Sequence, residues 1–135
     1  MTIALFLLTS CKKDKLTGDA KSLIGTWQWV QTNAEFSTTN PSNTGITKTI
    51  EFIEKGKYEI KKNSKRLEGG RVTYSEITNA FGHFIRLEFL RNALFTKKQE
   101  LPGKSNITQV GADTLYISEN VEWSDQPWHI YVRQN

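Results

Sequence analysis

The side chains able to do chemistry are few and scattered. Two histidines occur, His83 and His129, each in a stretch that alternates like a strand, and neither has Cys, Asp or Glu nearby at metal-ligand spacing. Both are expected on a polar sheet face, and no metal site is expected. Carboxylates recur as Glu51 with Glu59 and Glu76 with Glu88, pairs that can face each other across strands; the lysines near them make cross-strand ion pairing the simpler expectation. There is no Gly-x-Ser-x-Gly elbow and no glycine loop of the kind that cradles phosphate. These residues call for no cofactor and give no enzyme; an enzymatic reading would need His83 or His129 to meet carboxylates in a pocket.

Composition narrows the classes further. A chain of 135 residues, 37% of them hydrophobic, is long enough for one domain with a real core and shows no second block of composition. Eighteen basic residues against fourteen acidic ones leave a formal charge of +4, too mild and too interspersed for a nucleic-acid partner. The basic residues do cluster at Lys55, Lys57, Lys61, Lys62, Lys65 and Arg66. That cluster can serve contact with an acidic polysaccharide or anionic lipid, but a solvated face whose lysines also discourage stray strand pairing is the simpler expectation.

The elements that would position any site are strands. In Gly25-Thr26-Trp27-Gln28-Trp29-Val30, Trp27 and Trp29 fall on one face and Thr26, Gln28 and Val30 on the other. Two indoles on one face ask for a closed or doubled sheet, since each can bury about 150–250 Å². Residues 34–45, rich in Ser, Thr and Asn, read as a long loop. Strands follow over about 46–54 and 57–62, joined by a tight turn at Lys55-Gly56, and Tyr58 and Ile60 share a face. Residues 63–70 read as a second turn with its left-handed corner at Gly69-Gly70, then strands at 71–78 and 83–90, the latter with Ile85, Leu87 and Phe89 inward and Arg86 and Glu88 outward. Residues 91–104 allow either an extended strand or a helical turn. Strands at 105–110 and 113–119, a polar loop carrying Trp123, and a last strand at 128–133 complete the chain. In that last strand Trp128, Ile130 and Val132 alternate with His129, Tyr131 and Arg133.

The start of the chain has a separate character. Ile3 to Leu8 is an unbroken apolar run that ends in Leu8-Thr9-Ser10-Cys11, and Cys11 is the only cysteine. This resembles a bacterial lipoprotein signal, in which the cysteine sulfur receives a diacylglycerol before cleavage. The resemblance implies a signal peptide over 1–10 and a lipid on Cys11. With no lysine or arginine ahead of the apolar run, it also implies a translation start upstream of Met1. Six apolar residues cannot span a bilayer. Residues 11–21 are polar and lack periodicity, so they are expected to form a flexible lipidated tether ahead of a domain at 22–135. Lys13-Asp14 is similar to part of the export tag of Bacteroidetes surface lipoproteins, which implies an outer-membrane location facing the periplasm or the cell surface.

About eight strands joined by short turns, without a convincing helix, predict an all-β fold: one antiparallel up-and-down barrel. With Gly25-Thr26-Trp27 at its start, the Gly111 to Leu115 turn and the closing Tyr131-Val132-Arg133, the domain resembles the lipocalins, and more closely the lipocalin-like domains of Bacteroidetes lipoproteins. The resemblance implies that Gly25, Trp27 and Arg133 close one barrel end, with Arg133 lying over Trp27. Trp29, Tyr58, Tyr74, Phe89 and Trp128 are candidate ligand-lining residues, so a small apolar or aromatic molecule is the first expected partner, bound without catalysis. The alternative is a solid barrel whose loops contact a protein or glycan. An evident helix before the last strand and any disulfide, both usual in lipocalins, are missing from the sequence.

Overall fold

The computed structural model describes residues 15, 16, 18–80, 82–91, 104–110, 112–118 and 128–135. Strands dominate: β1 (Gly25–Ala34), β2 (Ser37–Thr39), β3 (Lys48–Ile53), β4 (Lys57–Lys62), β5 (Lys65–Asn79), β6 (Gly82–Arg91), β7 (Lys104–Val110), β8 (Thr114–Ser118) and β9 (Trp128–Arg133). They form one antiparallel sheet in the order β2-β1-β3-β4-β5-β6-β7-β8-β9, and β1 also pairs with β9. That last pairing closes β1 and β3 to β9 into an up-and-down barrel, as the strand pattern predicts. β2 is a short addition on the far half of β1, where Thr32 to Ala34 pair with Thr39 to Ser37.

Register selects the core. Trp27 lies opposite Ile50, Ile50 opposite Ile60, and Phe52 opposite Tyr58, so one face of β1, β3 and β4 is apolar and points inward. Val72, Tyr74, Leu87, Phe89, Leu115, Ile117 and Tyr131 continue that face round the barrel and are buried. At roughly 25 cal/mol per Å² of apolar surface, this shared interior is the main favourable term in folding.

Four features differ from the sequence expectation. The packed domain begins before residue 22: Gly18–Leu23 is a 3-10 helix, and Leu16, Ala20 and Leu23 are buried in the core. The backbone N–H of Leu16 donates to the Glu54 carbonyl at 3.2 Å, tying this segment to the β3–β4 turn. Leu16 and residues 18–21 therefore belong to the packed domain and not to the expected tether, because isolated apolar residues in a polar run carry no periodic signal. Second, residues 34–45 hold β2 and a one-turn helix, α1 (Pro41–Thr44). Asn40 accepts from the Asn43 N–H at 2.8 Å, Asn43 returns the bond to the Asn40 N–H at 2.9 Å, and Gly45 closes the turn in the left-handed region. Third, the β4–β5 corner lies at Asn63 and Ser64, both with positive φ (52° and 66°), while Gly69 and Gly70 are inside β5. Asn is one of the few non-glycine residues that enters this region at low cost. The turn at Lys55-Gly56 is where the sequence puts it, with Gly56 at φ 77°.

Fourth, His129 and Trp128 of β9 exchange the faces expected of them. Tyr131 lies opposite both Trp29 and Leu115, and His129 opposite Ile117, so His129, Tyr131 and Arg133 share the inward face. Both alternating sets of this strand contain large apolar or aromatic side chains, and pairing with β1 and β8, not composition, decides between them.

Candidate functional site

One end of the barrel is sealed by three short sequence features that meet in space. Trp27 is fully buried, and its Nε1–H donates to the Leu23 carbonyl at 2.8 Å. The Arg133 guanidinium carbon sits 4.2 Å from the Trp27 ring centroid, within reach of a cation–π attraction. The same guanidinium donates through Nη1 to Ile24 O at 2.9 Å, through Nη2 to Ser22 O at 2.6 Å and through Nε to Ala112 O at 3.1 Å. The planar fork thus ties the 3-10 helix, the start of β1 and the β7–β8 turn to the end of β9. Gly25 is required beside it. Its φ is +130°, and a Cβ there would stand 2.9 Å from Arg133 Nη1.

The expected lining residues divide. Trp29, Tyr58, Tyr74 and Phe89 point inward but retain only 3%, 2%, 2% and 4% of their surface. Two of them touch directly: Tyr58 meets Phe89 edge to face at 4.8 Å between ring centroids, and Phe52 lies 6.3 Å from Phe89. Trp128 does not join them. It is half-buried on the opposite face of β9, edge-on to Tyr116 at 6.5 Å, which is a correction to its assignment as an interior residue.

The interior also holds polar groups not expected there from the sequence. Glu68 is fully buried, and the Tyr58 hydroxyl donates to its Oε2 at 2.7 Å. Glu68 lies opposite Ile60 and in phase with the buried Val72 and Tyr74, so it faces inward; the register shift falls beyond it, between Ile60 and Lys61, and brings Arg66 to the outer face opposite Lys61. Reading residues 63–70 as a turn hides this position; once the strand is carried back from Tyr74, a period of two reaches Glu68. Nearer the far end, Trp29 Nε1–H donates to Thr32 Oγ1 at 2.9 Å, and Thr32 Oγ1 is 2.8 Å from His129 Nδ1. Lys48 Nζ lies 4.8 Å from the Trp29 ring centroid. His129 is therefore not on the polar face. His83 is exposed, with Nδ1 3.0 Å from Thr78 Oγ1. Among the described residues no three of His, Cys, Asp and Glu group as a metal site.

Of the carboxylate pairs, Glu51 and Glu59 do face each other across β3 and β4. Glu76 pairs with Ile85 and Glu88 with Thr73, so those two are not opposed. Thr26 Oγ1–H donates to Glu51 Oε2 at 3.3 Å, while Glu59 takes Lys61 at 3.8 Å and Arg66 at 3.4 Å. A cleft of about 280 Å³ opens over this outer face, lined by Thr26, Thr49, Glu51, Glu59, Lys61 and Gln134 among others.

Leu8, Thr9, Ser10, Cys11, the Lys13-Asp14 pair, Trp123 and most of the 91–104 segment lie outside the described residues. No helix among the described residues is long and apolar enough to cross a membrane. No family model, curated protein or solved structure matches the chain.

Proposed function

We propose that this protein is a lipid-anchored lipoprotein of a bacterial envelope whose lipocalin-like barrel is solid and serves, without catalysis, as an interaction module for a protein or glycan. The observation that carries the reading is the packing of Trp29, Tyr58, Tyr74 and Phe89 against their neighbours. Side chains with 2–4% of their surface accessible offer almost no wall to a second molecule. An eight-stranded barrel is just wide enough to be filled in this way. What remains for contact is the outside and the connections. The anchor rests on Leu8-Thr9-Ser10-Cys11, and the outer-membrane location, facing periplasm or cell surface, follows from the same motif with Lys13-Asp14.

Two experiments test the two halves. Cys11→Ala should move the protein from the membrane fraction to the soluble fraction; retention in the membrane fraction would remove the anchor. A panel of hydrophobic fluorophores titrated into the protein should give no saturable signal. Saturable binding lost on Trp29→Ala or Phe89→Ala, with the fold intact by circular dichroism, would replace the solid module with a carrier of a small apolar or aromatic molecule.

A further inference from the structure

The outer face of β1, β3, β4 and β5 is organised in rows by the strand register. One row runs Thr26, Glu51, Glu59, Gly69, and the next runs Gln28, Thr49, Lys61, Arg66. The first presents two carboxylate acceptors and a hydroxyl that both donates and accepts; the second ends in two cations, which are pure donors. One register step beyond the carboxylates, Lys57 pairs with Arg71 and adds two more exposed cations. Like charges directly opposite each other, as Glu51 and Glu59 are, normally cost stability. Here each is answered locally, Glu51 by Thr26 and Glu59 by Lys61 and Arg66.

Gly69 gives this surface its shape. A Cβ at that position would stand 2.7 Å from Arg66 Nη2, so its absence lets the guanidinium lie flat across β5, with Nε 3.4 Å from Glu59 Oε2. Lys61 and Arg66 keep about half of their side-chain surface, 53% and 48%. Above these rows is the cleft of about 280 Å³. That volume is near the lower limit, about 300 Å³, of small-molecule sites, enough for one ring and its substituents.

From this arrangement we infer that the cleft binds one ring of an acidic saccharide, with ring hydroxyls on Glu51 and Thr26 and the acid group on Lys61 and Arg66. Arg66 does not line the cleft but stands opposite Lys61 on β5 and meets the cleft residue Glu59. The inference rests on the proposed interaction module and names its partner class. A sugar hydroxyl both donates and accepts, which suits a wall where carboxylates alternate with cations. An anionic bilayer fits less well, because Glu51 and Glu59 would face its head groups and the cleft is concave and polar. Single-stranded nucleic acid is disfavoured too, since no aromatic ring lines the cleft for a base to stack on. The flanking pair Lys57 and Arg71 would draw a second acidic unit of the same chain by longer-range attraction, weakened by salt.

The test is calorimetric titration of the full chain with tetragalacturonate, and with maltotetraose as the uncharged control. Tetragalacturonate should bind at least about tenfold more tightly than maltotetraose, about one decade in Kd. The double variant Lys61→Gln/Arg66→Gln should weaken tetragalacturonate at least about tenfold, and Glu51→Gln about threefold, as loss of one acceptor predicts. Arg86→Gln, which removes an exposed charge from β6, should change binding less than about twofold. An equal loss with Arg86→Gln, equal affinity for maltotetraose, or full competition by polyglutamate would overturn the inference, since each reduces it to general charge attraction or none. Cross-linking in cells separates it from the wider reading. A trapped partner unaffected by the double variant retires the saccharide site and keeps the module; no trapped partner retires both.

Discussion

The sealed barrel end and the outer cleft use the same chemical parts to opposite effect. At the sealed end Arg133 lies over a fully buried indole and spends all three nitrogens on backbone carbonyls from three separate segments. Beside the cleft Arg66 lies over Gly69, meets the Glu59 carboxylate, and leaves about half of its side chain in water. In the first setting the half-buried guanidinium is held by three fixed backbone acceptors over a buried ring, so the interactions hold the fold. In the second, water screens the ion pairs, which contribute about 0–1 kcal/mol each, so the same groups remain available for recognition. An arginine's worth to stability is therefore set by what surrounds it and not by its identity.

Substitutions at the two places should break or sharpen this contrast. Trp27→Ala removes a fully buried indole and should cost about 3–5 kcal/mol by chemical denaturation. A cost under about 1 kcal/mol would show that the sealed end is no more structural than the cleft. Arg133→Met keeps an apolar stem over Trp27 but leaves three carbonyls without their charged donor, for an expected loss of about 2–4 kcal/mol at the same readout. Tyr58→Phe probes a third setting, the buried interior, where Glu68 would lose a 2.7 Å donor. About 1–2 kcal/mol should go, with the denaturant slope unchanged. Glu59→Gln, at the cleft, should shift stability by less than about 0.5 kcal/mol, and that small effect should vanish in 1 M salt.

Much of the fold was legible because half-buried strands leave a period-two record. Tyr58 with Ile60, and Ile85 with Leu87 and Phe89, each announce an inward face, and Lys55-Gly56 announces the turn between β3 and β4. The elements that escaped have physical reasons. β9 carries aromatic or branched side chains on both faces, so its inward set depends on Trp29 and Leu115 across the ladder. Glu68 is in phase with Val72 and Tyr74, but Gly69-Gly70 reads as a turn that cuts the strand short before it. Leu16 and Ala20 are single apolar residues in a polar run, and only their packing against the barrel end distinguishes them from a tether. The candidate cleft was half visible. The cationic residues cluster in sequence, and Glu51 and Glu59 can be paired from the β3–β4 turn. Gly69, read as a turn residue, instead gives Arg66 its place.

By itself the sequence determined an all-β chain, its meander order and the indole face that demands closure, because these follow from local side-chain alternation and turn chemistry. Tertiary structure alone decided that the interior aromatic residues are buried and that Arg133 bridges segments more than one hundred residues apart. It alone also aligned carboxylates and cations in rows over a cleft. Those outcomes depend on register and on contacts between distant strands, and no local pattern of residues encodes a distance across a closed sheet.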